Sequence, residues 1–222
     1  MATYTESFNK ADGALGPDLA WATDVTSTAV VAGQQFAQAV LNFGAYGRVE
    51  QDIEADMAVQ FEVSTLVLGP DTVNDYWEFG AMLRMDGLNA DPGNDNQHYL
   101  DVWYNADTMT SPEWGLYPQG DPLEFLANGP VVVAGDVIRL EAVGDQLRAL
   151  LNGVEVLSTT LVAAPFPGVR GGCYVWCSPD SDLRLDNFLV MGLGLFQLLP
   201  DVRPQGTGLT ALSFDYKNLS LR

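Results

Sequence analysis

Basic side chains are scarce in this chain. Ten Lys and Arg stand against 29 Asp and Glu, giving a net charge of -19. A field of that sign repels phosphate backbones and anionic lipid surfaces, which argues against nucleic-acid partners. Cysteine is nearly absent: Cys173 and Cys177 are the only two. Four residues apart on one extended strand, they stand about 13 Å from each other, too far for a disulfide. No second Cys/His pair completes a zinc site. They read as reduced, buried thiols of a protein made in a reducing cytoplasm. The single histidine, His98, supplies no His-based triad unless it carries one alone, and reads as structural. No apolar run reaches the length of a membrane span. The longest, 188–199, is interrupted by Gly192, Gly194 and Gln197, so membrane insertion is not expected. The opening ATYTESFNKADG has neither the basic nor the apolar region of a signal peptide. Helical periodicity is sparse as well.

What the chain has is period-two alternation, cut by turn formers roughly every ten residues. The clearest stretch is 136–157, DVIRLEAVGDQLRALLNGVEVL. Val137, Arg139, Glu141 and Val143 share one face; Ile138, Leu140 and Ala142 share the other. Gly144-Asp145 turns the chain, and Asn152-Gly153 predicts a two-residue hairpin, because both central positions need positive φ. Arg139, Glu141 and Arg148 read as exposed charges, solvated or paired. Residues 49–66, VEQDIEADMAVQFEVSTL, read as one long half-buried strand, apolar inside and acidic outside. Residues 77–86, WEFGAMLRMD, carry large residues on both faces, which predicts a central strand. About a dozen such strands make an all-β antiparallel sandwich, with a jelly-roll domain over 1–194. Residues 195–222 form a C-terminal appendage, a linker and a last alternating run. Leu195, Phe196, Leu198 and Leu199 are too apolar for a free linker and are expected to make an assembly contact.

Taken in order, FNKADGALG, Trp21, VEQDIEADMAVQFEV, FGAMLRMDG, YLDVWYN, GDVIRLEAVGDQLRALLNGVEV and LRLDNFLV resemble the concanavalin A-like lectin/glucanase jelly roll in its laminin-G-like form. The likeness spans roughly residues 4–192. It implies that the strand bearing LDNF pairs near the N-terminal strand bearing SFN. The opening FNKADGALGPDLAW also resembles the small single-jelly-roll minor tail and virion proteins of tailed bacteriophages, with Lys10 where their pattern has Arg and with the Trp slightly late. The excess of Arg over Lys, eight to two, fits a high-GC bacterial or phage genome. This resemblance implies a virion structural protein, in the tail or decorating the capsid, assembled in the host cytoplasm with other virion proteins. It also implies a homo-oligomer, a trimer being the phage default.

Three constellations bear on chemistry. Glu50, Asp52 and Glu54 form E-x-D-x-E, which on a strand puts carboxylates about 6–7 Å apart on one face. The jelly-roll clan includes retaining β-glucanases with that motif. The resemblance would make Glu50 the nucleophile, Asp52 its helper and Glu54 the acid/base. The acidic alternation continues through Asp56 and Glu62, where no chemistry needs it. The reading taken is therefore a solvent-facing strand and a non-enzymatic protein, with a glycoside hydrolase as the alternative and a bacterial carbohydrate-binding module as the third. Trp77, Tyr99, Asp101, Trp103 and Trp114 are the candidate sugar platform for a host-surface glycan, against the competing reading that such rings fill the core. Asp91, Asn94 and Asp95, like Asp71, Asn74 and Asp75, are loop oxygen donors that would suit calcium, the one cofactor considered. Turn chemistry accounts for the same residues, so no metal or cofactor is assigned.

Overall fold

The structure, a computed structural model, describes residues 3–8, 15, 19–23, 29–32, 34–38, 44–69, 76–86, 97–105, 111–117, 124–161, 167–177 and 181–194. Its early strands are β1 (Thr3–Glu6), β2 (Trp21–Ala22), β3 (Ala29–Ala32), β4 (Gln35–Gln38) and β5 (Ala45–Val49). The middle of the chain gives β6 (Met57–Val67), β7 (Tyr76–Met85), β8 (His98–Asn105), β9 (Glu113–Tyr117) and β10 (Glu124–Leu126). The last five are β11 (Val137–Val143), β12 (Gln146–Leu151), β13 (Val154–Thr160), β14 (Arg170–Cys177) and β15 (Asp182–Gly192). One sheet runs β13-β12-β11-β6-β15-β4-β3, with β1 also paired to β15. The other runs β10-β9-β8-β7-β14-β5-β2. Every pairing is antiparallel. No helix among the described residues is long and apolar enough to cross a membrane.

The alternation of the 136–157 stretch becomes the β11–β12–β13 meander. Ile138, Leu140 and Ala142 are fully buried, as the pattern predicts. Asn152 and Gly153 take φ of 53° and 78°, the left-handed pair that a tight hairpin requires. The Asn152 side chain locks the turn: Oδ1 accepts from Val137 N at 2.9 Å and Nδ2 donates to Asp136 Oδ1 at 2.7 Å. Glu141 is less exposed than its charge suggests. It is 5% accessible, and Arg139 and Arg148 both bond its carboxylate.

The two ends of the sandwich meet as the family likeness implies. β1 pairs β15 from Thr3↔Met191 to Glu6↔Phe188. The LDNF segment carries a bulge there, with Asn187 at φ 49° and its Nδ2 donating to Glu62 Oε2 at 2.8 Å. Glu6 is 1% exposed. Its carboxylate accepts from Phe8 N (3.1 Å), Leu19 N (3.2 Å) and the Trp21 indole (3.4 Å), tying the N-terminal segment to the core. Trp21 stands 4.9 Å from Phe188 between ring centroids, and Phe8 and Phe36 complete that aromatic cluster.

Residues 49–66 are not one strand. β5 ends at Val49 in one sheet and β6 begins at Met57 in the other. Residues 50–56 are the corner between the two sheets, held by Ile53 N to Val169 O at 2.7 Å. Arg84, buried at φ 53°, staples the same corner. Its Nε donates to Ala55 O (2.8 Å) and an Nη to Gly144 O (2.7 Å), with Asp56 at 3.5 Å. Residues 35–38 are strand. Cys173 and Cys177 are free thiols on β14, both facing the core.

Candidate functional site

An antiparallel strand presents alternate side chains to opposite faces, and cross-strand register decides which residues meet. In the second sheet, β14, β7, β8 and β9 lie side by side and build three rows on the outer face. The first row is Trp176, Glu78, Trp103 and Glu113, from the pairs Trp176↔Glu78, Glu78↔Trp103 and Trp103↔Glu113. The second contains Tyr174↔Gly80 and Asp101↔Gly115. The third is Met82↔Tyr99 and Tyr99↔Tyr117. The outer face of an antiparallel sheet is usually polar. Here Tyr46, Met82, Met85 and Tyr174 form a second buried cluster on it, with Tyr99 and Trp176 packed against them.

The middle row is where the surface sinks. A Cβ at Gly80 would stand 1.7 Å from the Leu100 carbonyl oxygen and 2.7 Å from the Tyr174 ring. A Cβ at Gly115 would stand 2.4 Å from the Tyr117 ring. Glycine at these two positions lets both rings lie down on the sheet. Tyr99 and Tyr117 stack at 4.7 Å between centroids, nearly parallel. The result is a depression of about 390 Å³ lined by Glu78, Asp101, Trp103, Tyr117 and Trp176. That size suits a small ligand or one unit of a longer one.

Its electrostatics are one-sided. Two of the five lining residues are carboxylates and none is basic. Asp101 sits at the floor, where Tyr174 Oη donates to Oδ1 at 3.0 Å. Burial pushes the Asp101 carboxyl up to about 7; the Tyr174 bond opposes this and the charge of Glu113 adds to it. The Tyr117 hydroxyl is pushed up to about 12, first by burial and then by Asp101, Glu113 and Glu78. Among the described residues, no group of three or more His, Cys, Asp and Glu side chains is placed to hold a metal ion.

The residues singled out from sequence divide cleanly. Tyr99, Asp101 and Trp103 come together on this face. Trp77 and Trp114 do not: both are fully buried and point the other way, because Trp77 pairs with Tyr104 and Trp114 with Val102 on the inner face. Their indoles bond Ser181 Oγ and Pro130 O, inside the protein. They are core residues, and their inclusion in a sugar platform is corrected accordingly. Glu78, Glu113 and Trp176 escaped the sequence reading. Each lies on a different strand from Asp101, and only the register brings them to it.

Glu50, Asp52 and Glu54 are not on a strand face but in the corner between the two sheets. Glu50 accepts from Arg48 (2.7 Å) and Arg170 (3.1 Å), and Asp52 accepts from Arg170 (2.8 Å). Glu54 turns to Gly194 N at 3.3 Å. The three are corner residues with structural bonds. His98 is 2% exposed, and burial, aided by the Arg84 charge, lowers it to about 4, so it is neutral at physiological pH. The calcium candidates Asp91, Asn94 and Asp95, the second cluster Asp71, Asn74 and Asp75, and the assembly residues Leu195, Phe196, Leu198 and Leu199 lie outside the described residues.

No family model and no curated protein sequence matches the chain. Solved structures do. A Bacillus subtilis protein of unknown function with a galectin-like fold superposes with a TM-score of 0.60 at 9% identity, over 85% of this chain and 94% of that one. The carbohydrate recognition domain of Emp47p gives 0.58 at 10% identity, over 86% and 94%. A prokaryotic β-1,3-1,4-glucanase (lichenase) from a mouse hindgut metagenome gives 0.55 at 8% identity, over 86% and 99%. At these identities the likeness is one of fold: the chain is an all-β sandwich of the galectin-like, concanavalin A-like jelly-roll type.

Proposed function

We propose that the chain is a non-enzymatic carbohydrate-binding protein of the bacteriophage virion, taking a host-surface glycan on the outer face of the β14-β7-β8-β9 sheet. The observation that carries the binding reading is the depression between Trp103, Trp176 and Tyr117 with Asp101 at its floor. A sugar ring has an apolar C–H face that packs on an aromatic ring, and hydroxyls that donate to carboxylates. Both partners are present within one sugar-sized hollow. That Emp47p's similarly folded domain is a carbohydrate recognition domain supports the reading. The virion setting rests on the opening FNKADGALGPDLAW and its likeness to small phage tail proteins.

A glycan array followed by titration tests the binding reading. Trp103→Ala, with a near-native melting temperature, is expected to lower affinity for the glycan found by at least tenfold, about 1.4 kcal/mol. Unchanged affinity would place binding elsewhere.

One observation favours a second reading, glycoside hydrolysis. A carboxyl held near 7 with the Glu78 and Glu113 carboxyls beside it is the pattern of a general acid with carboxylate neighbours. Release of reducing ends from the bound glycan, abolished by Asp101→Asn, would establish it over the non-enzymatic reading.

A further inference from the structure

We infer that the ligand carries a positive charge: the depression takes a glycan containing a protonated amino sugar, its ammonium between the Glu78 and Asp101 carboxylates and its ring against Trp103, Trp176 and Tyr117. This deepens the carbohydrate reading and rests on it.

Three observations converge. The hollow has two carboxylates in its lining and no base, and Glu113 adds a third negative charge from the strand position opposite Trp103. An anionic glycan would face uncompensated repulsion there. A neutral one would leave the carboxylates crowding each other, whereas a cation relieves that repulsion. The remaining lining is three aromatic rings, whose negative π-faces attract ammonium groups. The whole-chain charge of -19 then raises the encounter rate of a cationic ligand rather than opposing it.

The groups facing Asp101 are Glu78 from β7, Glu113 and Tyr117 from β9, and Tyr174 from β14. None is basic, so relative to the described residues an incoming ammonium would be the first positive charge that Asp101 meets at this face. Its arrival favours the ionised carboxylate and expels a proton to solvent. Binding at about pH 6, where both a sugar amine and much of Asp101 are protonated, should therefore release protons.

Titration calorimetry with three probes tests this: glucosamine oligomers, their N-acetylated counterparts and neutral β-glucan oligomers of equal length. The glucosamine oligomer is expected to bind at least tenfold more tightly than either. The measured heat should vary with the buffer's ionisation enthalpy in the sense of proton release. Glu78→Gln and Asp101→Asn, checked for folding by circular dichroism, should each erase most of the preference. Equal or tighter binding of the N-acetylated or neutral oligomers overturns the charge inference and leaves the carbohydrate reading standing. Binding of none of the three overturns the charge inference, and a glycan array without a hit overturns the carbohydrate reading as well. Equal binding of an oligolysine of the same charge, or retention of glucosamine binding by Trp103→Ala, would reduce the effect to the chain's overall acidity and also overturns it.

Discussion

Two titratable groups, each shifted chiefly by desolvation, pull the stability of this protein in opposite directions with pH. His98 takes up its proton less readily folded than unfolded, so its contribution is present above about 6.5 and is lost as pH falls toward 4. Asp101 takes up its proton more readily folded than unfolded. Its contribution is complete below about 3.8 and is lost as pH rises through 7. Asp101→Asn removes the second effect. It should gain stability relative to the parent at about pH 8 and show little gain at about pH 4, read by denaturant midpoints at the two values. A constant difference at both would mean that Asp101 is not desolvated. The tryptophans give a second contrast at this scale. Trp114→Ala should cost about 3–5 kcal/mol, as for a fully buried ring, while Trp103→Ala should cost far less stability and act on binding. Composition cannot separate those two residues, since the same aromatic serves either role. Their parity on paired strands separates them, and parity becomes meaningful once the register is known.

Among the elements, the meander was readable because each turn announces itself. Asn152-Gly153 and Gly144 sit where positive φ is needed, and between them buried Leu147 and Ala149 alternate with exposed Gln146 and Arg148. The corner at 50–56 was not readable for the opposite reason. It contains no Gly or Pro, and it keeps the period-two pattern with Ile53 buried and Asp52 exposed. A chain can pass from one sheet to the other without disturbing that rhythm, and the E-x-D-x-E spacing loses its meaning when it does. The N-terminal element depends on a single carboxylate. Glu6→Ala would strand three donors, on Phe8, Leu19 and Trp21, in a dry setting. Thermal unfolding should report a loss of roughly 2–4 kcal/mol. Hydrogen exchange should show early opening of β1, and uniform exchange across the sheet would contradict the assigned role.

At the scale of the molecule, the sequence spoke clearly about class and weakly about place. Alternation, turn spacing and the order of the SFN and LDNF segments along the chain carried the sandwich. The site is assembled from β7, β8, β9 and β14, whose contributing residues span 78 to 176, so no local motif could display it. The apolar start of the tail remains an assembly proposal. Removing residues 195–222 should leave the sandwich folded and lower the oligomeric mass measured by light scattering. An unchanged mass would refute the tail as the contact.

β14 joins these scales. Trp176 lines the depression and Tyr174 lies buried on the same outer face, bonded to Asp101, while Cys173 and Cys177 lie on the strand's reverse side, in the core. Burial raises both thiols, so neither reacts until the strand comes away from its neighbours. The protein thus carries its own strain gauge. A ligand that grips Trp176 from outside must slow thiol modification from inside, and it registers occupancy without any label on the binding face.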